Sequence, residues 1–111
     1  MNQNTAENKN NLQKFNIVIV EDDEGIGKLI LTKLSRLGYN SKLTETGADA
    51  LKIITGAKNE ILIVDYKLPD MSGKELIQQL ISKHGSTPNF FTLTGYGNEQ
   101  IAAEMMKLGS H

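Results

Sequence analysis

The 111-residue sequence has no cysteine and no tryptophan. Without thiols there is no disulfide staple and no thiolate metal site, a composition compatible with the cytosol. An excess of one charge is missing as well: 12 Lys and Arg stand against 13 Asp and Glu, leaving a net charge of -1. Readers of nucleic acid usually carry a basic face, so DNA binding by this chain alone is not expected. No apolar run approaches the ~20 residues that cross a bilayer. Residues 1–13 are rich in Asn and Gln, and Leu12 is their one large aliphatic after Met1. That segment lacks the apolar centre of a signal peptide and predicts a disordered polar tail over residues 1–14. The remaining residues, 15–111, suffice for one modest core, and a soluble cytoplasmic protein is the expectation.

The sequence is organised around Glu60 to Gly73. Ile61, Leu62, Ile63 and Val64 predict a short strand buried on both faces, and the run stops at the carboxylate of Asp65. In an open parallel sheet the carboxyl ends of the strands are where ligands bind, because the following loops converge there. Pro69 disfavours a helical conformation for Leu68 and forces an extended turn. Ser72 and Glu75 then have the spacing of a capping box ahead of Leu76 and Ile77, predicting a helix over about residues 73–83.

The rest of the chain repeats this alternation. Residues 15–20 form a first strand with unalternating Ile17, Val18, Ile19 and Val20, and it also ends in acids: Glu21, Asp22, Asp23 and Glu24. Ile26, Leu29, Ile30, Leu34 and Leu37 follow at helical spacing, with Gly38 placed to end the helix. A weak strand over residues 41–44 has Leu43 as its one aliphatic and belongs at a sheet edge. Thr46 and Asp49 can cap a short helix carrying Ala50, Leu51, Ile53 and Ile54. Residues 88–93 make a fourth strand with Phe90, Phe91 and Leu93, followed by Thr94, Gly95, Tyr96 and Gly97. Asn98 can cap a further helix through Ile101, Ala102, Met105, Met106 and Leu108. Strands alternating with helices predict an α/β doubly wound parallel sheet with right-handed crossovers.

Functional groups gather at the strand ends. With the first and third strands adjacent, Asp22 and Asp65 face each other, and each acid disfavours the ionisation of the other. A hard divalent cation relieves that repulsion, and Mg²⁺ suits a few carboxylate and carbonyl oxygens with retained water and a phosphate. Asp23 and Glu24, near a helix start, are better read as caps. A carboxylate beside Mg²⁺ can act as a nucleophile toward phosphorus, giving an aspartyl phosphate. Thr94 adds a hydroxyl able to donate to such a phosphate, although taken alone it reads better as an ordinary β-branched residue at a strand end.

Three separated motifs carry a resemblance: Glu21 Asp22; Asp65 Tyr66 Lys67 Leu68 Pro69 Asp70 Met71 Ser72 Gly73; and Leu93 Thr94 Gly95 Tyr96 Gly97. From about Asn16 onward the chain resembles the receiver domains of two-component response regulators. The resemblance implies a flavodoxin-like sheet of order 2-1-3-4-5. It implies Asp65 as phosphoacceptor from the phosphohistidine of a sensor histidine kinase or phosphotransfer protein, with Mg²⁺ as cofactor. Asp22 would bind the ion directly along with Asp65, Glu21 through water, and the Lys67 backbone carbonyl would complete the protein ligands. Thr94 would be the switch hydroxyl. Lys67 and Tyr96 occupy variable positions that tune the lifetime of the phosphoryl group in such domains. Gly95 stands where the family usually has Ala or another small residue. A receiver of this kind is not a conventional enzyme but assists its own phosphorylation and dephosphorylation.

Such domains continue into a fifth strand, ending in Lys and Pro, and a fifth helix. In this sequence no candidate for that lysine is found, since Lys107 lies on the preceding predicted helix, so the expected order is 2-1-3-4 with the fifth strand and helix absent. The fourth strand would then be an exposed edge carrying Phe90, Phe91 and Leu93, prone to homodimerisation or strand exchange. An aspartate-nucleophile phosphatase fits less well, because Lys67 stands where the commonest such family has a second Asp. Gly25 Ile26 Gly27 lacks the third glycine of a dinucleotide fingerprint. The alternative from another class is a receiver-like docking module with weak or no phosphorylation for want of the lysine.

Overall fold

The computed structural model describes residues 14–93. Seven elements alternate along them: β1 (Asn16–Val20), α1 (Glu24–Arg36), β2 (Asn40–Thr44), α2 (Gly47–Ile53), β3 (Glu60–Asp65), α3 (Gly73–His84) and β4 (Asn89–Leu93). Each helix opens on a side-chain oxygen that accepts an otherwise unpaired backbone N–H. Asp23 accepts from the Ile26 N–H, Thr46 from that of Asp49 and Ser72 from that of Glu75, each at 3.0 Å. The α3 helix closes on Gly85, whose φ of 78° is open to glycine at little cost and whose N–H donates to the Ile81 carbonyl.

The sheet is wholly parallel, in the order β2-β1-β3-β4. This is the α/β, doubly wound arrangement expected, with the polar β2 at an edge. Thr94, Gly95, Tyr96 and the helix expected over residues 98–108 lie outside the described residues, as does most of the polar tail.

Registry sorts the strand residues into two faces. Val18, Leu62 and Phe90 line up across three strands, as do Val20 and Val64. All five are buried and pack with Ala50 and Ile54 from the α2 segment and Leu76, Ile77 and Leu80 of α3. Phe90 is fully buried, so it is not part of an exposed edge, contrary to the sequence expectation; only its neighbour Phe91, at 48 % exposure, is. The reason is the two-residue period of a strand, which sends consecutive phenylalanines to opposite faces.

The second face is covered unevenly. Ile17 and Ile19 are buried beneath α1, whereas Ile61 and Ile63 are half-buried. The third strand is therefore enclosed on one face and partly covered on the other, not buried on both. On α1, Ile30 and Leu34 are half-buried, but Ile26, Leu29 and the C-cap residue Leu37 are exposed despite their helical spacing. Gly27 explains the placement: a Cβ there would come within 2.9 Å of the Leu43 side chain. The helix thus lies tightly over β2 and leaves the β3–β4 side of this face open among the described residues.

Candidate functional site

Parallel strands bring all their carboxyl ends to one edge, and three acids meet there. Glu21 follows β1 directly, Asp22 comes next, and Asp65 is the last residue of β3. The pairing of Val20 with Val64 sets Glu21 beside Asp65 across adjacent strands. One carboxylate oxygen from each of Glu21, Asp22 and Asp65 lies within 4.8 Å of the others. Glu21 is buried, Asp65 half-buried and Asp22 exposed, so the cluster grades from the protein interior to solvent. A cleft of about 720 Å³ opens over it, and its walls include Asp23, Ile26, Lys67, Leu68, Pro69, Thr92 and Leu93.

Glu21 feels its surroundings most strongly. Burial, then the hydrogen bond and charge of Asp65, push the Glu21 carboxyl up to about 7, against partial relief from the Asp23 N–H. A carboxylate that resists ionisation because it is buried and flanked by other carboxylates is relieved by a cation. The oxygen-only donor set, lacking imidazole and thiolate, fits a hard divalent ion.

The loop after Asp65 is internally braced. The Leu68 N–H donates to the Met71 carbonyl at 3.1 Å, the Gly73 N–H donates to the Tyr66 carbonyl, and Lys67 and Ser72 form an isolated antiparallel bridge. Buried Leu68 anchors the loop in the core. The extended turn expected from Leu68 and Pro69 is thus a closed hairpin that holds Lys67 against the cleft.

The sequence-predicted residues Glu21, Asp22, Asp65 and Lys67 are brought together; Thr94 lies outside the described residues. Two carboxylates escaped sequence reasoning. Asp70 accepts the backbone N–H groups of Gly47 and Ala48, both at 2.9 Å, which hold its carboxyl below the usual range. Glu60 is buried at the start of β3 and accepts from the N–H groups of Thr55 and Gly56. Neither has a local sequence signal, since the Asp70 partners are more than 20 residues away and Glu60 looks like a polar strand boundary.

Residues 17–111 match the family described as response regulator receiver domain. This chain belongs to that family. The receiver domain is 30 % identical over 96 residues to the transcriptional regulatory protein FixJ of Rhizobium meliloti, spanning 86 % of this chain and 47 % of FixJ. It is 29 % identical over 92 residues to the luminescence regulatory protein LuxO of Vibrio campbellii, spanning 83 % of this chain and 20 % of LuxO. The chain thus spans less than half of these curated relatives. Among solved structures, FixJ-N shares 28 % identity with a TM-score of 0.76 over 86 % of this chain and 76 % of that one. The non-phosphorylated HemR receiver domain from Leptospira biflexa shares 26 % identity, with a TM-score of 0.76 over 86 % and 77 % of the two chains. The receiver is a signalling module of the two-component type, and its described residues contain no helix long and apolar enough to cross a membrane.

Proposed function

We propose that the receiver accepts a phosphoryl group on Asp65 from the phosphohistidine of a sensor histidine kinase or phosphotransfer protein, with Mg²⁺ bound at the neighbouring acids. The observation that carries this reading is the convergence of Glu21, Asp22 and Asp65 at the carboxyl edge of the sheet, beneath an open cleft. An Asp65 carboxylate oxygen attacks phosphorus, forming the O–P bond as the P–N bond to the donor imidazole breaks. The electron pair leaves on the imidazole nitrogen, which takes up a proton, and an acyl phosphate remains on Asp65. Asp22 and Asp65 would hold the ion directly, the Lys67 carbonyl would add a neutral oxygen, and Glu21 would act through water. When bound, Mg²⁺ neutralises charge on the phosphoryl oxygens. Glu21 lies buried beside Asp65, one carboxylate oxygen of each acid in the cluster being within 4.8 Å of the others. The braced hairpin holds Lys67 at the rim of the cleft. Thr94, one residue past β4, would supply the hydroxyl that closes on the phosphoryl group. Residues 15–111 would constitute the receiver and residues 1–14 a tail outside it, with action in the cytoplasm.

Acetyl phosphate with Mg²⁺, followed by intact-mass measurement, tests the reading. A gain of one phosphoryl group that Asp65→Asn abolishes is the expected result. An unchanged mass, together with no response to beryllofluoride, would instead indicate a docking module that is not phosphorylated.

A further inference from the structure

The Asp65 loop does not end in solvent. Its tip reaches a different element, where Asp70 offers one carboxylate oxygen to the Gly47 N–H and the other to the Ala48 N–H, at 2.9 Å each. These are the first two residues of α2, where backbone donors have no helical partner and negative charge is favoured. A bland reading is that an exposed acid caps a short helix. Three further observations give the contact more consequence.

First, the same two segments touch a second time: Gly47 is buried against Met71, the residue after Asp70, with no room for a Cβ beside the Met71 Sδ. Second, the hairpin from Tyr66 to Gly73 is closed by its own backbone hydrogen bonds, which tie the residues directly after Asp65 to those flanking Asp70. Third, the segment entering α2 leads back to the acid cluster. The Thr44 carbonyl accepts the Glu21 N–H at 2.9 Å, and the buried Thr44 hydroxyl donates to the Ile19 carbonyl at 3.3 Å. The connections run from Asp65 through the hairpin to Asp70, across to Gly47, along three residues to Thr44, and back to Glu21 beside Asp65. They form a continuous path of covalent and hydrogen-bonded links that begins and ends at the acid cluster.

We infer that Asp70 is a positioning residue for the chemistry at Asp65, and that its bidentate grip makes the start of α2 respond to the state of Asp65. The inference rests on Asp65 being the phosphoacceptor. Asp70 is not a member of the acid cluster; it acts by holding the hairpin that follows Asp65 and carries Lys67. Removing the carboxylate leaves two donors at the α2 start without their partner and frees the tip of the hairpin.

The test uses the whole ¹⁵N-labelled chain as wild type, Asp70→Ala and Asp70→Asn. In the metal-free protein, Asp70→Ala should speed hydrogen exchange of the Gly47 and Ala48 amides by roughly tenfold, with Asp70→Asn intermediate because one acceptor oxygen remains. Beryllofluoride with Mg²⁺ should shift the amides of Tyr66, Lys67, Gly47 and Ala48 in wild type. In Asp70→Ala those of Tyr66 and Lys67 should still shift while Gly47 and Ala48 stay still, a signature that mere loss of stability does not produce. Phosphorylation by acetyl phosphate should slow by roughly 2- to 10-fold. Equal responses of Gly47 and Ala48 with and without Asp70, or an unchanged phosphorylation rate, overturn the proposal. If Tyr66 and Lys67 are silent in wild type, the Asp65 reading fails. A positioning role for Asp65 chemistry then fails with it, while faster exchange at Gly47 and Ala48 still identifies the tie as structural.

Discussion

At Glu21, burial and the adjacent Asp65 act in one direction and favour the protonated carboxyl. Its folded value of about 7 lies above the ordinary 4.5, so its stabilising contribution is complete below pH 4.5 and lost as the pH climbs through 7. The metal-free receiver should therefore melt at progressively lower temperature from pH 5 to pH 8. Added Mg²⁺ should reduce that decline, because cation binding favours the ionised cluster, and Glu21→Gln should flatten the metal-free profile; thermal denaturation with and without EDTA checks all three. Glu60 presents a different case, a buried carboxylate whose oxygens are taken up by the turn before β3. Glu60→Ala leaves the Thr55 and Gly56 N–H groups without that acceptor and should cost about 1–3 kcal/mol in urea unfolding. The acid cluster was legible in the sequence, because Glu21, Asp22 and Asp65 each end an apolar run and parallel strands end together. Asp70 and Glu60 were not, because an acid that satisfies backbone donors leaves no periodicity to read.

Elements were the most legible level. Ile17 to Val20 and Ile61 to Val64 are unbroken aliphatic runs, and both are interior strands, while the polar β2 lies at the edge. What spacing could not reveal is which neighbour covers a face. The apolar spacing on α1 is genuine, yet close seating of Gly27 on Leu43 tilts coverage toward β2, leaving Ile26 and Leu29 exposed. The turn from α2 into β3 depends on a glycine for two separate reasons. Gly56 has a φ of 82°, and a Cβ there would lie 2.7 Å from the His84 ring at the end of α3. Backbone strain of about 1–2 kcal/mol adds to the overpacking, so Gly56→Ala should destabilise by at least about 2 kcal/mol in chemical denaturation. Because the collision is with His84, His84→Ala should recover part of the loss in the double variant.

Across the whole molecule the sheet is asymmetric. One face is closed by α2 and α3 around Phe90, and the other exposes Phe91 beside half-buried Ile63 with which it is in register. Among the described residues β4 pairs on one side only. We propose that this face associates with a second copy at high concentration. Size-exclusion chromatography with light scattering should then show a mass rising with concentration, which Phe91→Ser reduces; a folded, strictly monomeric wild type at millimolar concentration would overturn the expectation.

The central place of β1 has a consequence for synthesis. Asn16 aligns with both Asn40 and Glu60, so β1 is flanked by two strands that are made after it. Roughly 40 residues separate β1 from its β3 partner, which at about 5–20 residues per second leaves Ile17 to Val20 without that neighbour for some seconds on the ribosome. Among the described strands, an interior ribbon is therefore the one a nascent-chain chaperone has the longest opportunity to hold.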